Sequence, residues 1–286
     1  MKKVGLALGG GGAKGLAHIP VLEVFDEMGI VPTRIAGTSI GAIIGALYAS
    51  GMRGAEIRKS VDELIRDKDE SLLETIRDRE ISRTLKFFDV DLRHGGLLRG
   101  DRVLKLFEKL LKVNTFEELK IPLSIIATDY YKASEVVLEK GDLLSAIRAS
   151  MGLPGVFTPI EREGKILIDG GAVNPVPYDV LLDMDVVVAV DVTGGVPLDK
   201  KGKPNMFDAV LNTFTIMQRT MIDEKLELVP PDIYLKVDTT DIELLGFSEG
   251  KELFERCEET CTRLRSQLEA ALGEPAKKGL FGIKKS

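Results

Sequence analysis

Apolar positions along the chain recur with two periods, and their alternation predicts a mixed α/β protein. "KKVGLAL" reads as a compact first strand, and "LAHIPVLEVFDEM" (Leu16 to Met28) repeats apolar residues at helical spacing until Gly29, a natural helix stop. "TRIAGTS" reads as a second short strand, followed by "IGAIIGALYAS", a helix of small and apolar residues ending at Gly51. Strand, helix, strand, helix is the opening of a three-layer α/β/α fold around a mostly parallel sheet. From Arg53 to Lys120 the texture changes to dense charge at helical period, interrupted by "FFDVDLRHGGLLRG", which predicts a helical cap inserted over about 53–120. The sheet is expected to resume with "IPLSIIATD", "SEVVLE", "KILID" and "DVVVAVDV", the last continuously apolar as in a strand covered on both faces. "LLSAIRASMG" and "PVPYDVLLDM" predict connecting helices, and Met206 to Leu228 and Glu249 to Leu272 predict long amphipathic helices flanking a further strand at "DIYLKV".

No internal repeat or low-complexity linker divides the chain. The simplest parse is one domain over 1–272, with an aperiodic tail over 273–286 that is expected to be mobile. With 286 residues and 44% hydrophobic content the chain can bury a substantial core. Its formal net charge of -6 argues against a nucleic-acid partner, which usually demands a basic balance or stripe. Only two cysteines occur, Cys257 and Cys261, and their helical, charged context predicts free thiols and a reducing, cytoplasmic setting. The start "MKKVGLALGGGGAKG" places lysines before apolar residues as a signal peptide does, but glycines break the run within a few positions, so a strand is expected. No apolar stretch reaches the roughly 18 residues of a membrane span, so any membrane contact is expected to be peripheral. The tail joins four lysines to Leu280, Phe281 and Ile283, a composition suited either to anionic lipid or to plain solvation.

Two glycine-rich motifs carry the candidate chemistry. Gly10-x-Gly12-x-x-Gly15 stands between a strand and a helix, where a dinucleotide fingerprint belongs. A nucleotide site of that kind also wants an acidic residue at the end of the second strand, and "IAGTS" stands there instead. A phosphate loop of the Gly-Lys-Ser/Thr type is excluded by Ala13-Lys14-Gly15. The second motif, Gly37-Thr38-Ser39-Ile40-Gly41, is a G-x-S-x-G sequence in the strand-turn-helix context of a nucleophile elbow. A serine nucleophile needs a base, yet the only histidines are His18, before the serine on a helix, and His94, in the cap. His18 is expected to pack and hydrogen-bond. The remaining candidate base is Asp169, which ends "KILID" and is followed by Gly170-Gly171. As a weak base it must be held close to Ser39 to take the proton while the new bond forms.

Taken in order, the glycine loop, the elbow and Asp169-Gly170-Gly171 resemble the patatin-like phospholipase family, with "HIPVLEVF", "IPLSIIATD" and "RASMGLPGVFTP" extending the likeness over about 4–192. The resemblance implies a Ser-Asp dyad without histidine: Ser39 as nucleophile, Asp169 as base, and an oxyanion loop at Gly10, Gly11 and Gly12. It places Lys14 and Gly15 in the supporting loop motif, with Gly37, Gly41, Gly170 and Gly171 supporting the two turns. The expected reaction is hydrolysis of acyl esters of phospholipids or lysophospholipids with no cofactor or metal. Two other classes stay open: a nucleotide-binding module using the Gly10–Gly15 loop, and a lipid-binding regulatory protein with little turnover. The oligomeric state is not specified by any of these features.

Overall fold

The computed structural model describes residues 2–63, 89–91, 97–99, 109–154, 157–195, 206–239, 242 and 250–273. Most of the expected cap, including His94, Phe87 and Phe88, and nearly all of the tail lie outside these residues. A helical segment runs over 54–63, and within the insertion two short strands, β3 (Asp89–Asp91) and β4 (Leu97–Arg99), pair antiparallel where only an interruption between helices was expected.

The main sheet has the order β10-β9-β1-β2-β5-β8-β7, with β6 on the far edge of β5. β1 (Val4–Leu8), β2 (Arg34–Thr38), β5 (Leu123–Asp129), β9 (Val186–Asp191) and β10 (Ile233–Lys236) are parallel. β6 (Ser134–Leu138), β7 (Ile160–Arg162) and β8 (Lys165–Asp169) pair antiparallel at the β5 end.

Side chains of the central strands alternate between two cores, as the pleat requires. Leu6, Leu8, Ile35, Val188 and Val190 face the larger core, covered by α1 (His18–Met28), α2 (Ile40–Ala49), α3 (Leu143–Ser150) and α5 (Gly250–Leu272). Ala7, Ala36, Val187 and Ala189 face a smaller core closed by Tyr178, Leu181 and Ile222, the last from α4 (Met206–Leu228). Burial on both faces explains why β1 and β9 read as unbroken apolar runs. α1 stops at Gly29, whose φ of 67° is open to glycine at no steric cost. α3 starts at Asp142, whose carboxylate accepts the Ser145 N–H at 2.6 Å.

One predicted helix is a single turn of 3₁₀ helix, Tyr178–Leu181. Pro175 and Pro177 lack the N–H groups that a longer helix would need, and β9 begins only five residues after Leu181. Cys257 and Cys261 are free and buried in the α5 face, where burial raises their thiol pKa values to about 12 and about 11.

Candidate active site

β2 leads into α2 through Ser39, whose backbone sits at φ 53°, ψ -121°. Few non-glycine residues adopt such a conformation, because Cβ crowds the carbonyl oxygens. Its neighbours hold it there. The Ser39 N–H donates to Ser150 Oγ at 2.8 Å, and Ser150 Oγ donates to the Ile126 carbonyl at 2.6 Å. The Ser39 carbonyl accepts from the Ala42 N–H at 2.9 Å, starting α2. Glycine is required on both sides of the turn: a Cβ on Gly37 would lie 2.7 Å from Ala42 Cα, and one on Gly41 would lie 2.0 Å from the Leu8 carbonyl oxygen.

Asp169 arrives at the same place from the opposite direction. β2 runs parallel to β5 and its last residue, Thr38, pairs with Ile126. β8 runs antiparallel to the same strand and its last residue, Asp169, pairs with Ala127. β6 occupies the other edge of β5 along Ile125 to Asp129, so β2 and β8 share one edge and meet end to end. Two consecutive residues of β5 thus bring together the residues 39 and 169, which are 130 positions apart in the chain. Asp169 is 3% exposed. Its Oδ1 accepts the Gly171 N–H at 2.7 Å, and its main-chain carbonyl accepts from Thr128 Oγ1 at 2.8 Å. Burial raises the Asp169 pKa to about 6, against hydrogen bonding from the Ser39 side chain and the Gly171 N–H, which favours the charged form. Gly170 presses on β5 so closely that a Cβ would lie 2.3 Å from the Ile126 carbonyl oxygen.

The glycine loop lies against the elbow. A Cβ on Gly10 would touch Ser39 Cβ at 3.5 Å, and one on Gly15 would collide with Ile40 Cγ2 at 2.3 Å. The three glycines expected to present N–H groups are not equivalent. The Gly10 N–H donates to the Pro175 carbonyl at 2.9 Å, so it is already committed. Among the described residues, no acceptor meets the Gly11 and Gly12 N–H groups. Lys14 points inward, 5% exposed, with Nζ donating to the Thr193 carbonyl at 3.1 Å; burial lowers its pKa while nearby Asp191 raises it. His18 is fully buried with Nε2 2.8 Å from the Gly9 carbonyl, which makes Nε2 the protonated nitrogen of the neutral ring. Burial lowers its pKa to about 4.

Three polar residues at this site carry no motif that would announce them. Ser150 stands in "RASMG" without the spacing of any nucleophile pattern, and its role appears only once α3 is docked on β5. Gln218 and Arg219 of α4, with Thr220, separate the apolar pairs Ile216-Met217 and Met221-Ile222, and that interruption is the one signal the sequence offers. Gln218 is 6% exposed and donates from Nε2 to the Gly171 carbonyl at 3.2 Å. Arg219 Nη1 pairs with the buried Asp191 at 2.6 Å. Among the described residues, no cluster of three or more His, Cys, Asp or Glu side chains is placed to hold a metal ion.

A family model described as patatin-like phospholipase matches residues 6–182. An uncharacterized NTE family protein of Mycobacterium bovis is 34% identical over 194 residues, covering 67% of this chain and 49% of that protein. Patatin-like phospholipase domain-containing protein 6 of Mus musculus is 32% identical over 193 residues, 66% of this chain and 13% of that much longer protein. The chain thus spans about half the length, or less, of these curated relatives. The crystal structure of VipD from Legionella pneumophila aligns with a TM-score of 0.45 at 16% identity, covering 89% of this chain and 66% of that one.

Proposed function

The chain belongs to the patatin-like phospholipase family, and from that premise we propose that it is a serine acyl hydrolase working through Ser39 and Asp169 on acyl esters of phospholipids or lysophospholipids. The observation that carries this reading is the meeting of β2 and β8 on one edge of β5, which sets the Ser39 hydroxyl beside the Asp169 carboxylate.

In the proposed reaction Ser39 Oγ attacks the ester carbonyl as its proton passes to Asp169. The carbonyl oxygen takes the negative charge and is met by the N–H groups of Gly11 and Gly12, which have no other acceptor among the described residues. Donors of this kind, already oriented, are worth about 3 to 4 kcal/mol each in enzymes where one has been removed. Collapse expels the alcohol, which takes the proton from Asp169 and leaves an acyl group on Ser39 Oγ. Asp169 then takes a proton from water as it attacks the acyl group, and Ser39 recovers that proton when the fatty acid leaves. A carboxylate with a pKa of about 6 is a better proton acceptor than an exposed aspartate, so burial serves the assigned role. His18, with Nε2 held by Gly9, has no part in these transfers. Peripheral contact with a lipid surface is part of the proposal, and among the described residues no helix is long and apolar enough to cross a membrane.

The test is separate Ser39→Ala and Asp169→Asn substitutions, assayed with a short nitrophenyl ester and by fluorophosphonate labelling. Loss of labelling in the first and a large drop in turnover in the second are expected. Unchanged turnover in either folded variant would overturn the dyad. Micromolar NAD or ATP binding in calorimetry, with an inert Ser39, would favour the nucleotide module instead.

A further inference from the structure

α4 lies wholly beyond residues 6–182, yet its inward side holds both halves of the site. Gln218 and Lys225 are seven residues apart, two turns along the same side of the helix. Gln218 Nε2 donates to the Gly171 carbonyl, two residues after Asp169. A Cβ on Gly171 would lie 2.2 Å from Gln218 Nε2 and 2.9 Å from Asp169 Oδ1, so the amide and the carboxylate flank the same glycine. Lys225 Nζ fastens the continuation of this segment, donating to Asn174 Oδ1 at 2.6 Å and to the Val176 carbonyl at 2.8 Å.

Arg219 turns to the other half. Its Nη1 meets Asp191 Oδ2 at 2.6 Å, while Asp191 Oδ1 accepts the Thr193 N–H at 2.8 Å. Thr193 in turn accepts Lys14 Nζ from the glycine loop, and the Val192 carbonyl lies so close to Gly11 that a Cβ there would be 2.8 Å away. Asp191 is completely buried and Tyr234 OH adds a bond to Oδ2 at 2.5 Å, so this carboxylate is fully engaged and fixed in place.

We propose that α4 is the positioning element of the site: Gln218 sets the Asp169 turn through the Gly171 carbonyl, and Arg219 sets the glycine loop through Asp191. The inference rests on the hydrolase reading. Neither residue touches the reacting atoms, so both are positioning residues.

A double-mutant cycle on the full chain tests it. Gln218→Met keeps the side-chain volume and removes the donor; Gln218→Ala serves as a second variant if the first is poorly folded. In protein still folded at the assay temperature, Gln218→Met is expected to lower kcat for the nitrophenyl ester roughly tenfold or more while KM stays nearly constant. In an Asp169→Asn background, followed by fluorophosphonate labelling, the same substitution should cost nothing further, because it acts through Asp169. Arg219→Lys should slow labelling in both backgrounds, because it acts through the loop. An unchanged kcat in Gln218→Met, or a Gln218 effect that persists in the Asp169→Asn background, would overturn the assignment. Carbon-13 titration of Asp169 gives a readout that survives if the wild type proves inactive, which would instead count against the hydrolase reading. Loosening the Gly171 N–H bond in Gln218→Met should move the Asp169 titration upward from about 6, and an unmoved titration would overturn the positioning role.

Discussion

The main-chain N–H of Ser39 donates to the hydroxyl oxygen of Ser150, 2.8 Å away, and the Ser150 hydroxyl in turn donates a hydrogen bond to the Ile126 carbonyl on β5. A buried side chain from α3 thereby fastens the strained turn to the strand that also registers Asp169. Ser150→Ala would leave a donor and an acceptor unpaired. We expect it to cost about 2 kcal/mol of stability and to slow fluorophosphonate labelling of Ser39, measured by denaturant melts and by mass spectrometry of the labelled protein.

Ser39 holds φ 53°, a conformation that costs a residue with a Cβ about 1–3 kcal/mol. Ser39→Gly should therefore melt above Ser39→Ala, with neither variant labelling. Equal melting points would mean that the surrounding bonds already relieve the turn.

As the proposed base, Asp169 should link activity to pH. Its pKa of about 6 in the folded protein lies above the ordinary 3.8, so the folded state binds the proton more tightly than the unfolded chain. Turnover should fall as pH drops through about 6, where the proposed base becomes protonated. Stability moves the other way for this group: its contribution is full below pH 3.8 and is lost as pH rises through 6. Asp169→Asn should consequently melt above the wild type at pH 8, by up to about 3 kcal/mol, with the gap closing toward pH 4. A wild type that matches the variant at pH 8 would contradict the buried, charged carboxylate.

His18 has the opposite sign. Its pKa is lowered from 6.5 to about 4, so its contribution is present above pH 6.5 and is lost as pH falls through 4. His18→Ala removes a buried ring and the bond to Gly9, and should destabilise by about 2–4 kcal/mol. Labelling of the folded variant should remain within a few-fold of wild type. A collapse of labelling without loss of stability would instead give His18 a chemical role.

The opening strand-helix-strand-helix pattern was readable because β1 and β2 are covered on both faces and α2 is built from small residues that must lie close to the sheet. The glycine spacing pointed to the two turns for the same steric reason, since Gly37 and Gly41 have backbone where a Cβ would be. The helix expected around "PVPYDVLLDM" was misread: the apolar spacing is helical, but two prolines and the nearby start of β9 leave room for a single turn. Ser150 was invisible as a site residue, and Gln218 and Arg219 showed only as a polar break between apolar pairs, because each acts through a main-chain group or a carboxylate of another element, and such partners have no trace in local spacing. The commitment of the Gly10 N–H to Pro175 was hidden for the same reason. It depends on where the segment after Asp169 returns across the loop.

β5 acts as a ruler. The two turns are registered on its consecutive residues, so the offset between them is one peptide step, about 3.3 Å, and no loop length enters it. Under the proposed reading, segments that would meet an acyl chain or a head group can therefore lengthen, shrink or be replaced in descent while Ser39 and Asp169 keep their alignment. Chemistry and substrate range then become separately heritable, the one written in a single strand and the other in whatever the chain hangs around it.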